Sequence, residues 1–310
     1  MERYNYDELR RRISGPVYPV PPAFTSDGNL DLDAVGEYVK FLCREGANAL
    51  MVTAGTSRLN LLSPEEIIAL NRKVTEESKE NILVIAGTPP YGSIQVALEI
   101  IDAAQQDNCD GALVYFPDRH YSDDSVFSYY LKISEMTDMP LLAHGHLLPR
   151  GCGGGSVPYS FDLCSKLTTI DSLVGMKEEL EDESLRYSIA SRLSDRMPLI
   201  VAGGSMRKFL ACANFGVKSW LTGIGNFVPM IEEKFWEAWQ NKDHESCLDI
   251  IDNTETPFFN IAFELGWHRA MRAALEIMGL MPGHERVPLS RIDEEGKQKL
   301  MLVMKDLGWL

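Results

Sequence analysis

The chain has 310 residues, 45% of them hydrophobic and 24% charged, and carries a formal net charge of −15. Such a composition is that of an ordinary globular protein, and the length suits one large α/β domain with its own core. The acidity, with no dense basic stripe, excludes nucleic acid and anionic membrane as partners and leaves room for a small anion at a locally positive site.

In chain order, the opening MERYNYDELRRRISG is charged and amphipathic and has no apolar h-region, so no secretory signal is expected. Eight short apolar runs follow: 16–21, 49–55, 82–87, 111–116, 140–145, 173–177, 198–204 and 218–223. They are rich in Val, Ile and Leu and too continuous for half-exposed strands, which is the pattern of parallel strands buried on both faces. Helical stretches lie between them. Asp33 begins DAVGEYVKFLCREG, closed by Gly46; Ser63, Pro64 and Glu66 set up a capping box; Ser122 opens DSVFSYYLKISEM. Eight strand–helix repeats predict a closed (β/α)8 TIM barrel over 1–240. An open doubly wound sheet lacks its GxGxxG turn after the first strand. From 241 to 310 no strand is expected, only helices packed on the barrel as part of one structural unit. No apolar run approaches the ~18 residues that span a bilayer. Cys43, Cys109, Cys152, Cys164, Cys212 and Cys247 are scattered without a CxxC pair, as reduced buried thiols of a cytoplasmic protein are.

In such a barrel, catalytic groups sit at the C-terminal ends of the strands. Lys177 ends the sixth run, where a low dielectric disfavours charge and suits a nucleophilic amine. By itself it is equally a lysine with its stem along the strand and its head in water. Gly55, Thr56, Ser57 and Arg58 follow the second run, and their backbone N–H groups, hydroxyls and guanidinium suit a carboxylate. His144 and His146 end the fifth run two residues apart, a spacing that serves proton transfer or a metal. The GCGGGS stretch (151–156) after them reads as a loop or lid. Gly203-Gly204-Ser205 and Thr222-Gly223 place small residues at two further strand ends.

These residues resemble the dihydrodipicolinate synthase / N-acetylneuraminate lyase family, collinearly over nearly the whole chain. PVPPAFTSDGNLDLDAV is similar to that family's opening stretch, AGTSRLNLLSPEE to its GTTGE loop, and VGMKEELED to its Schiff-base segment G-[IM]-K-E-x-x-x-D. GVKSWLTGIGNFVP is similar to the closing segment and MPGHERVPLS to the C-terminal linker. The resemblance implies that Lys177 forms a Schiff base with the ketone of a 2-oxo acid whose carboxylate rests on Gly55–Thr56, with His146, Gly203 and Thr222 lining the site. It implies no cofactor or metal, and a homo-oligomer, dimer or tetramer, in which Trp236, Trp239 and Phe258 either form an interface or pack the appended helices. Two departures stand out. His144 occupies the place of the relay tyrosine, which argues against a standard dihydrodipicolinate synthase, and Ser57 and Arg58 replace a glycine and a glutamate of the carboxylate loop. Arg150 lies near the place of a substrate-binding arginine.

The expected activity is therefore a lyase of aldolase or dehydratase type acting on a hydroxylated or aromatic 2-oxo acid, with His144 moving protons and rate falling as it protonates below pH ~6–7. The opening ELRRRISGPVYPV also resembles the sugar-acid dehydratase branch. The rival readings are a metal-dependent hydrolase or lyase using His144, His146 and Glu178 or Glu179, and a non-catalytic binder of oxo acids.

Overall fold

The computed structural model describes residues 4–151 and 153–310; Cys152 lies outside the described residues. Eight parallel strands close on themselves in chain order. They are β1 (Gly15–Pro19), β2 (Ala49–Met51), β3 (Leu83–Gly87), β4 (Gly111–Val114), β5 (Leu141–Gly145), β6 (Leu173–Glu178), β7 (Leu199–Val201) and β8 (Ser219–Leu221). β1 closes the ring on β8 with Gly15 opposite Ser219. All eight are buried along their whole length, which is why they carry continuous apolar runs and no polar alternation.

The pleat sorts their side chains into two cores. Val17, Met51, Ile85, Leu113, Leu142 and Ile200 fill the barrel, while Leu50, Val84, Val114 and Val201 pack against the surrounding helices. Leu9 and Ile13 join the inner core from the N-terminal helix Tyr6–Arg12 and plug the bottom of the barrel. Burying each is worth roughly 1.5–3 kcal/mol. The capping box forms as expected: Ser63 Oγ accepts from Glu66 N–H at 3.3 Å, and Glu66 accepts from Ser63 N–H at 3.0 Å. One helix starts earlier than expected, because Asp31 rather than Asp33 accepts the first-turn N–H, that of Ala34.

Beyond the barrel run helices His244–Ile250, Thr256–Glu264, Trp267–Ile277 and Glu294–Asp306, with a π-helical turn at Ile251–Glu255 joining the first two. Phe258 is buried against Phe227 and Trp309, at 4.9 and 5.3 Å between ring centres. Trp236 and Trp239 pack around Phe209 at 6.0 and 5.6 Å. All three therefore hold helices on the barrel. On either side of the glycine-rich stretch, Leu148–Pro149 pairs antiparallel with Ser156–Val157 in a small ribbon. No helix among the described residues is long and apolar enough to cross a membrane, and the five described cysteines are buried free thiols.

Candidate active site

Lys177 faces the barrel interior because β6 is out of phase with a regular strand. Opposite β5 the register shifts between Leu141 and Leu142, so that Leu141 pairs with Leu173 but Leu142 with Gly175. Val174 belongs to the inner core, and a side chain on Gly175 would meet Ile13 at 3.0 Å. Two consecutive residues thus face inward, as at a bulge. The extra residue flips the phase, turning Met176 outward to the helices and Lys177 inward. His144 is its register partner on β5.

The two side chains meet a third. Lys177 Nζ lies 3.1 Å from His144 Nε2 and donates a hydrogen bond to Glu179 Oε1, while His144 Nε2 lies 3.0 Å from Glu179 Oε2. Lys177 and His144 are almost fully buried; the Glu179 side chain keeps 37% of its surface exposed. Burial acts against charge on Glu179, but the neighbouring Lys177 and the hydrogen bond with His144 outweigh it and hold the carboxyl well below its usual range. Burial, and then repulsion by Lys177, push His144 down to about 3. The imidazole is therefore neutral throughout the neutral range, and in this setting its protonation gives no reason for the rate to fall below pH ~6–7. His144 Nδ1 is buried with no hydrogen-bond partner. A stranded lone pair costs less than a stranded N–H, which assigns the proton to Nε2, where it faces Glu179.

Tyr115, the residue after β4, continues the inward-facing row from Leu113. Its hydroxyl lies 2.7 Å from Thr53 Oγ1 and accepts from Ala54 N–H at 2.7 Å, and its ring packs edge-on against His144 at 4.4 Å. Burial raises its pKa well above that of free tyrosine. Next to it, Gly55 and Thr56 line the cavity, and among the described residues their N–H groups meet no backbone acceptor. Two adjacent amides without a backbone acceptor are donors an anion can use.

The other two members of that loop turn away. Ser57 Oγ donates to Val20 O and accepts from Thr53 N–H, so it ties the loop to β1. Arg58, with φ +55°, donates to the carbonyls of Gly55 (3.0 Å), Thr56 (3.1 Å) and His268 (3.0 Å) and pairs with Glu285 at 2.8 Å. Arg272 shares Glu285 at 3.3 Å. The guanidinium is spent on the loop's own carbonyls and on the C-terminal extension, which corrects the expectation that Ser57 and Arg58 face the substrate. His146 stacks on His144 at 4.3 Å with rings 16° apart, and its Nδ1 lies 3.1 Å from His144 O. It lines an outer groove with Arg119 and Arg150, beside the main cavity rather than in it. No group of three or more His, Cys, Asp or Glu side chains able to hold a metal occurs among the described residues. Glu178 points outward to Arg186, at 3.0 Å.

The cavity over Lys177 has a volume of about 270 Å³. Gly203, Gly204, Ser205 and Thr222 form one side, and Phe259, Phe263, Trp267 and His268 of the appended helices form the far wall. Sequence reasoning missed Tyr115, Thr53 and this wall, and gave Glu179 only as a metal ligand. For Tyr115 a signal existed, since it follows Leu113 at the two-residue spacing of an inward row.

The profile of the dihydrodipicolinate synthetase family matches residues 12–307. A probable 5-dehydro-4-deoxyglucarate dehydratase of Bacillus licheniformis is 25% identical over 306 residues, covering 96% of each chain. A 4-hydroxy-tetrahydrodipicolinate synthase of Idiomarina loihiensis is 25% identical, covering 96% of this chain and 98% of its own. Among solved structures, dihydrodipicolinate synthase from Oceanobacillus iheyensis superposes with a TM-score of 0.84 at 20% identity, covering 99% and 100% of the two chains. N-acetylneuraminate lyase from Fusobacterium nucleatum gives 0.84 at 16% identity, covering 96% and 99%.

Proposed function

The chain belongs to the dihydrodipicolinate synthetase family, and from that premise we propose that it is a lyase, of dehydratase or aldolase type, that forms a Schiff base between Lys177 and the ketone of a 2-oxo acid. The observation that carries this reading is the buried Lys177 amine at the cavity floor, hydrogen-bonded to Glu179 and 3.1 Å from His144. An amine in that setting has a proton acceptor in contact with it and little competing water.

The steps follow from these groups. The substrate carboxylate rests on the Gly55 and Thr56 amides, which brings C2 over Lys177. Lys177 gives up a proton to solvent through the exposed face of Glu179, and the free amine attacks C2. The C2 oxygen collects two protons through the His144–Glu179 pair, one lost by the attacking nitrogen and one returned from solvent, and leaves as water, giving a cationic iminium. Loss of a proton from C3 gives an enamine, with the iminium nitrogen as electron sink. A hydroxyl on C4 then takes a proton and departs as water (dehydratase), or C3 of the enamine bonds to an aldehyde carbon, the cleavage of that C3–C4 bond being the same step reversed (aldolase); water then hydrolyses the iminium and frees Lys177. Neutral His144 acts as a hydrogen-bond donor from Nε2 that steadies Glu179 and relays its proton; His146, stacked on it, fixes the ring. The same reading carries a homo-oligomer, dimer or tetramer, supported by the exposed aromatic pair Tyr187–Phe215.

Enamine formation can be tested with pyruvate in D2O, without knowing the natural substrate. Wild-type protein is expected to exchange the methyl protons, seen as loss of the proton NMR signal, and Lys177→Met to exchange none. No exchange by folded wild type, or equal exchange by Lys177→Met, overturns the reading.

A further inference from the structure

The far wall of the cavity is chemically unlike its floor. The floor holds Lys177, Glu179, His144 and the amides of Gly55 and Thr56. The wall is three aromatic rings from two appended helices: Phe259 lies 5.1 Å from Phe263 and 5.3 Å from Trp267, and Phe263 lies 6.1 Å from Trp267. Phe263 is 56% exposed. Phe259 and Trp267 also pack in part on the core, but Phe263 does not, and attachment of the extension, for which Phe258 is fully buried against Phe227 and Trp309, does not account for it.

The barrel makes room for them. A side chain on Gly223 would come within 2.5 Å of Phe259 Cζ, and one on Gly55 within 3.1 Å of the His268 ring. Glycine at these two strand ends lets Phe259 and His268 lean over the site.

Charge points the same way. Lys177 is the one cation among the described residues that line the cavity, and Schiff-base formation commits it. Arg58 is turned into its own loop, and His268 is pushed down to about 4 by burial and by Arg58, so it is neutral. A second carboxylate seated against this wall would meet aromatic faces and the Glu179 anion, since Arg119 and Arg150 line the separate outer groove and not this cavity. A glucarate-derived acid carries a carboxylate at each end and is a poor match.

We propose that the natural substrate is a monocarboxylic 2-oxo acid whose distal substituent is a flat apolar or aromatic group, seated against Phe259, Phe263 and Trp267. This rests on the Schiff-base reading for the floor but concerns the wall alone. Offset or edge-on ring contacts are each worth up to about 1.5 kcal/mol, a little over tenfold in affinity.

The test is borohydride trapping on Lys177 over a concentration series of pyruvate, phenylpyruvate and 2-oxoglutarate, read by intact mass. Phenylpyruvate is expected to label at about tenfold lower concentration than pyruvate, and 2-oxoglutarate at higher concentration than either. Trp267→Ala is expected to remove the advantage of phenylpyruvate over pyruvate, and the exposed Phe263→Ala to reduce it. Half-maximal labelling by 2-oxoglutarate at or below that of phenylpyruvate overturns the proposal, as does an unchanged ratio in both variants. A change of oligomeric state in Phe263→Ala or Trp267→Ala with that ratio intact would assign the rings to a subunit contact instead. Should even pyruvate fail to label, the Schiff-base reading fails, and calorimetric binding of phenylpyruvate against 2-oxoglutarate still decides the wall.

Discussion

Two ionic clusters sit within a few residues of the barrel mouth, and they differ in one respect. In the first, Lys177 and Glu179 meet beside His144, and the Glu179 side chain is 37% exposed to the cavity. In the second, Arg58 and Arg272 share Glu285, and all three side chains are at most 2% exposed. A sealed pair cannot relax when one partner is lost, so its removal is costly and its role is to hold the backbone. A pair with one open face can be hydrated or met by substrate, and can exchange a proton. The open cluster is suited to chemistry. The sealed cluster fixes the Gly55–Thr56 loop and fastens the extension to it, through Arg58 to the His268 carbonyl and Arg272 to the Pro22 carbonyl.

The largest expected effect comes from breaking the open cluster at its amine. Lys177→Met should lower turnover by roughly 10⁴-fold or more, while stability changes by only about 1 kcal/mol because Glu179 can be hydrated. Glu179→Gln keeps the shape and removes the proton acceptor; turnover should fall by roughly 10²–10⁴-fold with the thermal midpoint near that of wild type. A fall in midpoint of more than ~10 °C in either variant would place this cluster with the sealed one.

The sealed cluster should behave in the opposite way. Arg58→Ala leaves Glu285 buried beside Arg272 alone and frees three carbonyls, and should cost about 3–5 kcal/mol of stability in urea unfolding. Arg58→Lys should recover little of it, because one ammonium cannot reproduce the guanidinium's contacts to three carbonyls and a carboxylate. A variant that keeps full stability and loses pyruvate binding would return Arg58 to the substrate site.

The smallest effect is in pH. The folded-state value for His144, about 3, lies below its unfolded value near 6.5. The unfolded chain therefore binds more protons, and the stability His144 permits is complete above pH ~6.5 and falls away as pH drops toward 3. Between pH 6.5 and 5 the wild type should lose about 2 kcal/mol that His144→Phe does not. The His144 ring protons should also show no titration between pH 8 and 5 by NMR. A step near pH 6.5 would restore the protonating imidazole that the sequence suggested.

The barrel was legible because its signal is local. Strands buried on both faces are rich in Val, Ile and Leu, and Ser63 with Pro64 and Glu66 is a local helix-start signal. The runs were read too long at their C-terminal ends: 49–55 is β2 only to Met51, and 198–204 is β7 only to Val201. Those ends leave the ladder to build the site loops. His144 and Lys177 were legible as strand-end residues, but the reason Lys177 faces inward was not. Strict alternation from Leu173 turns it outward, and the register shift opposite Leu141 and Leu142 that turns it inward shows only in the folded sheet. Arg58 was misread because its partners, Glu285 and the His268 carbonyl, lie more than two hundred residues away. The aromatic wall was hidden for the same reason, since spacing within a helix says which residues share a face but not what that face overlooks.

The central claim is most directly tested by incubating wild-type protein and Lys177→Met with pyruvate, reducing with borohydride, and mapping the modified peptide. The account predicts one reduced pyruvyl group on the peptide bearing Lys177 in wild type and none in the variant. No adduct on folded wild type, or an adduct on another lysine such as Lys208, would contradict it.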